Sequence, residues 1–200
     1  MTVGESASGP ESGVRVATRF FPVSAALAPY CSIIYLTGVE APTGVQNEDY
    51  LHPEWANLRF IEGEFSAAAV AGEAPQPTPP FVVAGPTSRA THFIVGPMRA
   101  WGIGFLPAGW AKFFAVPAED FTDRFVDGAR HPAFAAHAGL AAKLRSANDV
   151  EGAARLLDDH FANRLAAAPR DDPAIFAAHA ALVDGELTSG ADLGAKLGLS

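Results

Sequence analysis

Residues 101–117 read W-G-I-G-F-L-P-A-G-W-A-K-F-F-A-V-P, and this stretch decides how the chain divides. The sequence before it has the pattern of strands and turns. The sequence after it has the pattern of helices. In Trp101-Gly102-Ile103-Gly104-Phe105, large apolar residues alternate with glycine. Successive side chains of a strand point to opposite faces. Trp101, Ile103 and Phe105 therefore share one face, and the glycines leave the other bare. A bare strand face lets another backbone or a ligand come close. Pro107 and Gly109 predict a turn. Trp110, Phe113 and Phe114 then form a dense aromatic group. Pro117 suits the first position of a helix, where its missing N–H costs nothing.

Working upstream, Val14–Phe21 has strand-like composition, and Tyr30–Thr37 is rich in β-branched and aromatic residues, which predicts a second strand. Strict alternation would place Cys31, Ile33 and Tyr35 on one face and Ser32, Ile34 and Leu36 on the other. Residues 38–49 predict a polar loop. Asn57–Glu62 predicts a strand, with Leu58 and Phe60 facing one way and Arg59 and Ile61 the other. Phe65–Ala71, Phe81–Ala84 and Thr91–Val95 predict further short strands. The four prolines of residues 72–80 predict a stiff loop between them. Short strands at regular spacing with turn signals predict an antiparallel sandwich or barrel.

Downstream, five helices are predicted. Pro117–Val126 is closed by Gly128, and Pro132–Ser146 follows. A third, capped by Asn148 or Asp149, runs to about Ala168. Its Val150, Ala154, Leu157, Phe161 and Leu165 recur at helical steps. Asp172 caps a fourth over Pro173–Val183, stopped at Gly185. Ser189 caps a fifth over Gly190–Leu197, with Asp192 placed to complete a box-like cap.

Bulk properties narrow the function. The 200 residues are 49% hydrophobic, carry a formal charge of -8 and include one cysteine. That suits one domain with a small appendage. No apolar run is long enough for a membrane span, so no membrane partner is expected. The N-terminus lacks a basic segment with an apolar stretch behind it, so a loose tail is expected rather than a secretory signal. A lone cysteine allows no internal disulfide, which fits a reducing, cytoplasmic location. So acidic a chain is not expected to bind nucleic acid by itself.

Candidate sites are few. His52, His92, His131, His137, His160 and His179 show no pair at metal-ligand spacing, so no metal or cofactor is expected. Cys31 reads as a small buried strand residue rather than a nucleophile. No nucleophile elbow, P-loop or dinucleotide fingerprint is present. With no acid–base constellation either, no enzyme is expected and no catalytic residue is assigned. Trp55, Phe60, Phe93, Trp101, Phe105 and Trp110 are candidates to line a ligand pocket, with Arg59, Glu62 and His92 as its polar groups. Core packing is the alternative for each. An arginine inside an apolar strand faces solvent or pairs with a carboxylate, and that carboxylate can belong to a ligand.

Three motifs carry a resemblance. They are Gly85-Pro86, then Trp101-Gly102-Ile103-Gly104-Phe105-Leu106-Pro107-Ala108-Gly109, then Pro117-Ala118-Glu119-Asp120-Phe121-Thr122-Asp123. Phe161-Ala162-Asn163-Arg164-Leu165 follows at a helix end. Together they resemble the N-terminal sensor region of AraC-type bacterial transcriptional regulators. The last fifteen residues, E-L-T-S-G-A-D-L-G-A-K-L-G-L-S, resemble the opening of a helix-turn-helix. Ala108 stands where the family often has glycine, and residues 53–60 depart from its usual "P-D-G".

The resemblance implies an α+β fold, an antiparallel barrel or sandwich of cupin-like type followed by a helical segment. The expected division is a disordered tail over 1–14, a β-rich sensor over 15–116, a helical linker or dimerisation segment over 117–168, and a truncated start of the helix-turn-helix domain over 169–200. It implies a small-molecule effector and a homodimer, with Leu156, Leu157, Phe161 and Leu165 as candidate contacts; packing of these four on the sheet is the alternative. DNA would be bound only through a region absent from these 200 residues. A binding protein of the same kind without regulatory DNA binding is the alternative.

Overall fold

The computed structural model describes residues 13–64, 66–184 and 190–198. The expected tail over 1–12, the start of a strand at Phe65, the stop at Gly185, the Ser189 cap and the last two residues lie outside them.

Ten strands and five α-helices make an α+β fold among the described residues. The strands are β1 (Arg15–Phe21), β2 (Cys31–Glu40), β3 (Asn47–Leu51), β4 (Ala56–Gly63), β5 (Ser66–Val70), β6 (Gln76–Pro77), β7 (Phe81–Ala84), β8 (Thr91–Val95), β9 (Met98–Phe105) and β10 (Phe125–Asp127). The helices are α1 (Pro107–Phe113), α2 (Leu140–Arg145), α3 (Val150–Ala162), α4 (Pro173–Val183) and α5 (Gly190–Leu197). Six strands form one sheet in the order β1-β2-β9-β4-β7-β10, and four form a second in the order β3-β8-β5-β6. All pairings are antiparallel. The two sheets face each other across a cavity and do not close into a barrel.

Strand β9 lies at the middle of the larger sheet, between β2 and β4. Its Trp101, Ile103 and Phe105 face the helices and build the main core with Leu58, Phe60, Leu157 and Phe161. Phe105 lies at the centre of an aromatic cluster, with rings of Phe114 and Phe161 each 5.0 Å from its own. The opposite face of β9 looks into the space between the sheets. A smaller apolar group, Val14, Val39 and Val95, includes residues from both sheets. Val14 is thus part of the body, not of the expected loose tail.

Several expectations are corrected. Pro107 and Gly109 open α1 rather than a turn. Proline at the first helical position is preorganised, and Trp110, Phe113 and Phe114 at helical spacing then bury one face. Gly109 sits against the carbonyl of Tyr30, where any side chain would collide with backbone. The expected helix over 117–126 is a single 3-10 turn, Ala118–Phe121, followed by β10, which joins β7 at the sheet edge. Asp123 adopts a φ of 58° and breaks the helix there. The expected helix over 132–146 starts only at Leu140, because Phe134 is drawn fully into the core and Gly139 weakens helix continuation. The third helix stops at Ala162, with a 3-10 turn over Leu165–Ala167. Asp149 caps it, accepting from Gly152 N at 2.6 Å. Within the expected loop 38–49, β2 runs on to Glu40 and β3 begins at Asn47. A register shift between Cys31 and Ile34 puts both on the core side and leaves Ile33 and Tyr35 on the cavity side.

Candidate functional site

The space between the sheets is a cavity of about 860 Å3. Its walls follow from strand parity. On β8, Thr91, Phe93 and Val95 point inward, while His92 and Ile94 belong to the outer face. On β9, Met98 and Ala100 line the cavity, and the bare glycine face beyond them is covered by side chains from β2. A Cβ on Gly102 would overlap the Tyr35 ring, and one on Gly104 would collide with Ser32 Oγ. The glycines thus make room for side chains from β2.

Register then assembles a polar group. Tyr35 pairs with Gly102, and Gly102 pairs with Arg59, so the three lie in one row across β2, β9 and β4. Because Gly102 has no side chain, Arg59 Nε reaches across it and donates to Tyr35 Oη at 2.9 Å. Tyr35 Oη in turn donates to Asn57 Oδ1 at 3.3 Å. Asn57 Nδ2 donates to the Trp55 carbonyl at 2.7 Å. Arg59 Nη2 donates to the Glu54 carboxylate, closing an ion pair. The backbone of Glu54 is held by Thr87 in both directions. Glu54 N donates to Thr87 Oγ1 at 2.9 Å, and Thr87 N donates to the Glu54 carbonyl at 3.0 Å.

The electrostatics follow from burial. Burial pushes the Tyr35 phenol above its usual range, with Arg59 opposing, so the hydroxyl stays protonated at neutral pH. Burial also works against the charge of Arg59, but Tyr35 and Glu54 more than offset it and raise its pKa. A permanent cation therefore sits on the wall of a mostly apolar cavity. Thr91, on the opposite wall, carries a buried hydroxyl with no hydrogen-bond partner among the described residues.

The residues singled out from sequence separate into groups. Trp55, Arg59 and Phe93 line the cavity. Phe60, Trp101, Phe105 and Trp110 lie in the core on the helix side of the sheet. His92 is on the outer face, stacked 4.7 Å from the Tyr50 ring and bonded to Glu48 at 2.7 Å. Glu62 lies 3.8 Å from Arg145 and does not line the cavity. Leu157 and Phe161 are fully buried, and Leu156 and Leu165 are half-buried against the same core. Sequence reasoning missed Tyr35, Glu54, Asn57 and Thr87. The available signal was Arg59 itself, since a buried cation calls for acceptors nearby.

Among the described residues no group of three or more histidines, cysteines or acids is placed to hold a metal. No helix among them is long and apolar enough to cross a membrane. His137 and His160, which form no pair at metal-ligand spacing in the sequence, share a hydrogen bond of 2.8 Å between Nδ1 and Nε2. Burial raises the Cys31 thiol to about 12, so it stays protonated and unreactive.

Trp55 connects the cavity to the C-terminal helices. Its ring lines the cavity and meets the His179 ring of α4 edge-on at 5.6 Å. Compared with known proteins, the chain matches no family model and no curated protein.

Proposed function

We propose that the chain binds a small, largely apolar molecule in the cavity between its sheets, and that it is the effector-sensing and dimerisation part of an AraC-like transcriptional regulator with a cupin-like sensor. The observation that carries the binding reading is the cavity: about 860 Å3, mostly apolar, with one compact polar group around Arg59. Ligand sites have this composition, with a few placed polar groups fixing orientation. Support for the regulator reading is the set of motifs around Gly85, Trp101 and Pro117, together with the contact between Trp55 and α4. An effector that favours one arrangement of the sensor would shift the freedom of whatever follows α4 by linkage.

Two experiments test the two parts. N-phenyl-1-naphthylamine, an uncharged fluorescent probe of apolar cavities, is expected to bind at one site per chain. Ala68→Trp, which fills the cavity from β5, is expected to abolish it. Equal binding by the variant overturns the cavity reading. For the regulator, the coding frame is expected to continue past codon 200 by about a hundred residues with a basic helix and a second helix-turn-helix. A stop directly after codon 200 leaves the alternative, a binding protein without regulatory DNA contact.

A further inference from the structure

The Arg59–Glu54 pair is asymmetric, and the asymmetry points to a ligand class. Arg59 is fixed. It lies on β4, hydrogen-bonded to β9 on one side and β7 on the other, and its side chain is only 14% exposed. Glu54 belongs to the segment between β3 and β4, which includes the exposed His52, Pro53 and Trp55, and its side chain is 31% exposed. Thr87 holds the Glu54 backbone in both directions, so its carboxylate can swing to water while the main chain stays. Among the described residues, the Arg59 side chain makes only two hydrogen bonds, one to Tyr35 and one to Glu54. Its remaining N–H groups are available to a ligand.

Charge decides between ligand classes. A cationic ligand attracted to Glu54 would sit beside Arg59 and leave a buried guanidinium facing a like charge, which is costly. A carboxylate that replaces Glu54 keeps Arg59 neutralised, and the planar guanidinium matches a carboxylate in two-point geometry. The displaced Glu54 regains full hydration at the rim. Apolar walls at Phe93, Val82 and Ala68 supply burial for a hydrocarbon body.

Resting on the cavity reading above, we propose that the ligand is an apolar monocarboxylate whose carboxylate displaces Glu54 from Arg59. Glu54 then acts as an internal placeholder, which keeps the arginine paired in the empty protein and sets the threshold a ligand must overcome.

The test is competition against N-phenyl-1-naphthylamine at pH 7 with octanoate and octan-1-ol, which share a chain length and differ in charge. In the wild-type protein, octanoate is expected to bind at least about tenfold more tightly than the alcohol. Glu54→Gln, which removes the competing charge, is expected to raise octanoate affinity by about tenfold or more. In Arg59→Met the ratio of octanoate to alcohol affinity is expected to fall towards one. Equal or better displacement by octan-1-ol from the wild type overturns the proposal, as does undiminished octanoate preference in Arg59→Met. The wild-type comparison decides even where a variant fails to fold. Failure of the naphthylamine itself to bind counts instead against the cavity reading.

Discussion

Tyr35 and Arg59 lie on strands that are not neighbours, yet Arg59 Nε donates to Tyr35 Oη at 2.9 Å. The strand between them contributes Gly102, which pairs with both. Neighbouring strands lie about 4.8 Å apart, so the two Cα atoms are separated by roughly twice that distance. Any side chain at the middle position would occupy the space the Tyr35 ring fills. The alternation of glycine with large apolar residues in β9 therefore serves two faces at once. One face packs the core against the helices, and the other lets a polar pair form on the cavity floor.

Gly102→Ala is expected to destabilise the protein by about 1–3 kcal/mol, the range for overpacking a filled site. The added methyl group overlaps the Tyr35 ring, which must rotate away and give up its bond to Arg59. Urea unfolding measures this directly. A change within about 0.5 kcal/mol, typical of an ordinary surface substitution, would show that the row across the three strands is not closely packed.

Tyr35→Phe keeps the ring and removes the hydroxyl that accepts from Arg59 and donates to Asn57. A cost of about 1–3 kcal/mol is expected, because a buried charged donor and a buried amide each lose a partner. Combining Tyr35→Phe with Arg59→Met in a double-mutant cycle isolates the pair. A coupling energy of at least about 0.5 kcal/mol is expected. Strict additivity would mean that the two side chains meet without stabilising each other.

How much of this was legible in the sequence depends on the range of the interaction. Strands such as β7 and β8 could be read because alternation and β-branched residues are local signals. Asn47–Leu51 could not, since N-E-D-Y-L is an edge strand whose polar residues resemble a loop. Phe125–Asp127 was hidden behind a helix-like Pro117-Ala118-Glu119-Asp120. Arg59 was legible as a polar residue in an apolar strand. Its partners were not, because Tyr35 reaches it only through the register of three strands. Glu54 reaches it from a neighbouring connecting segment. His92 illustrates the same limit: one step of parity separates it from the inward-facing Thr91 and Phe93.

The paired histidines predict acid sensitivity. Burial, with Arg164 adding repulsion, lowers His137 to about 4. Burial, then Arg164, His137 and Lys143, lowers His160 to about 3. An unfolded histidine titrates near 6.5. Between these values the unfolded chain binds more protons, so stability falls as pH drops below about 6.5 and continues falling until the folded pKa is reached. Urea midpoints measured from pH 7 to pH 5 are expected to decline. His160→Gln, which keeps a polar side chain of similar reach, is expected to flatten that decline. An unchanged slope in the variant would assign the acid sensitivity to other groups.

The attachment of α4 gives the last prediction. Lys112 Nζ on α1 donates to the Pro169 carbonyl at 2.7 Å and to Asp171 Oδ1 at 2.9 Å. Tyr30 Oη donates to the other oxygen of Asp171 at 2.8 Å, and the Phe176 ring packs edge-on to Tyr30 at 6.1 Å. One carboxylate thus ties the segment before α4 to α1 and to the start of β2. Lys112 first and Tyr30 second hold that carboxyl below its usual range, which marks the bonds as made to the charged form. Asp171→Ala is expected to release both donors and speed amide hydrogen exchange across α4 by about tenfold, the response of a segment that opens locally. Amides of β4 and β9 are expected to keep their protection, because their strands pair within the sheet and not with α4. If α4 exchanges at the wild-type rate in the variant, the clamp is not what holds it, and the packing of Ile175 and Phe176 on the core suffices. If β9 loosens together with α4, the helix and the cavity floor open as one cooperative unit, and the clamp is part of the core rather than a separate attachment.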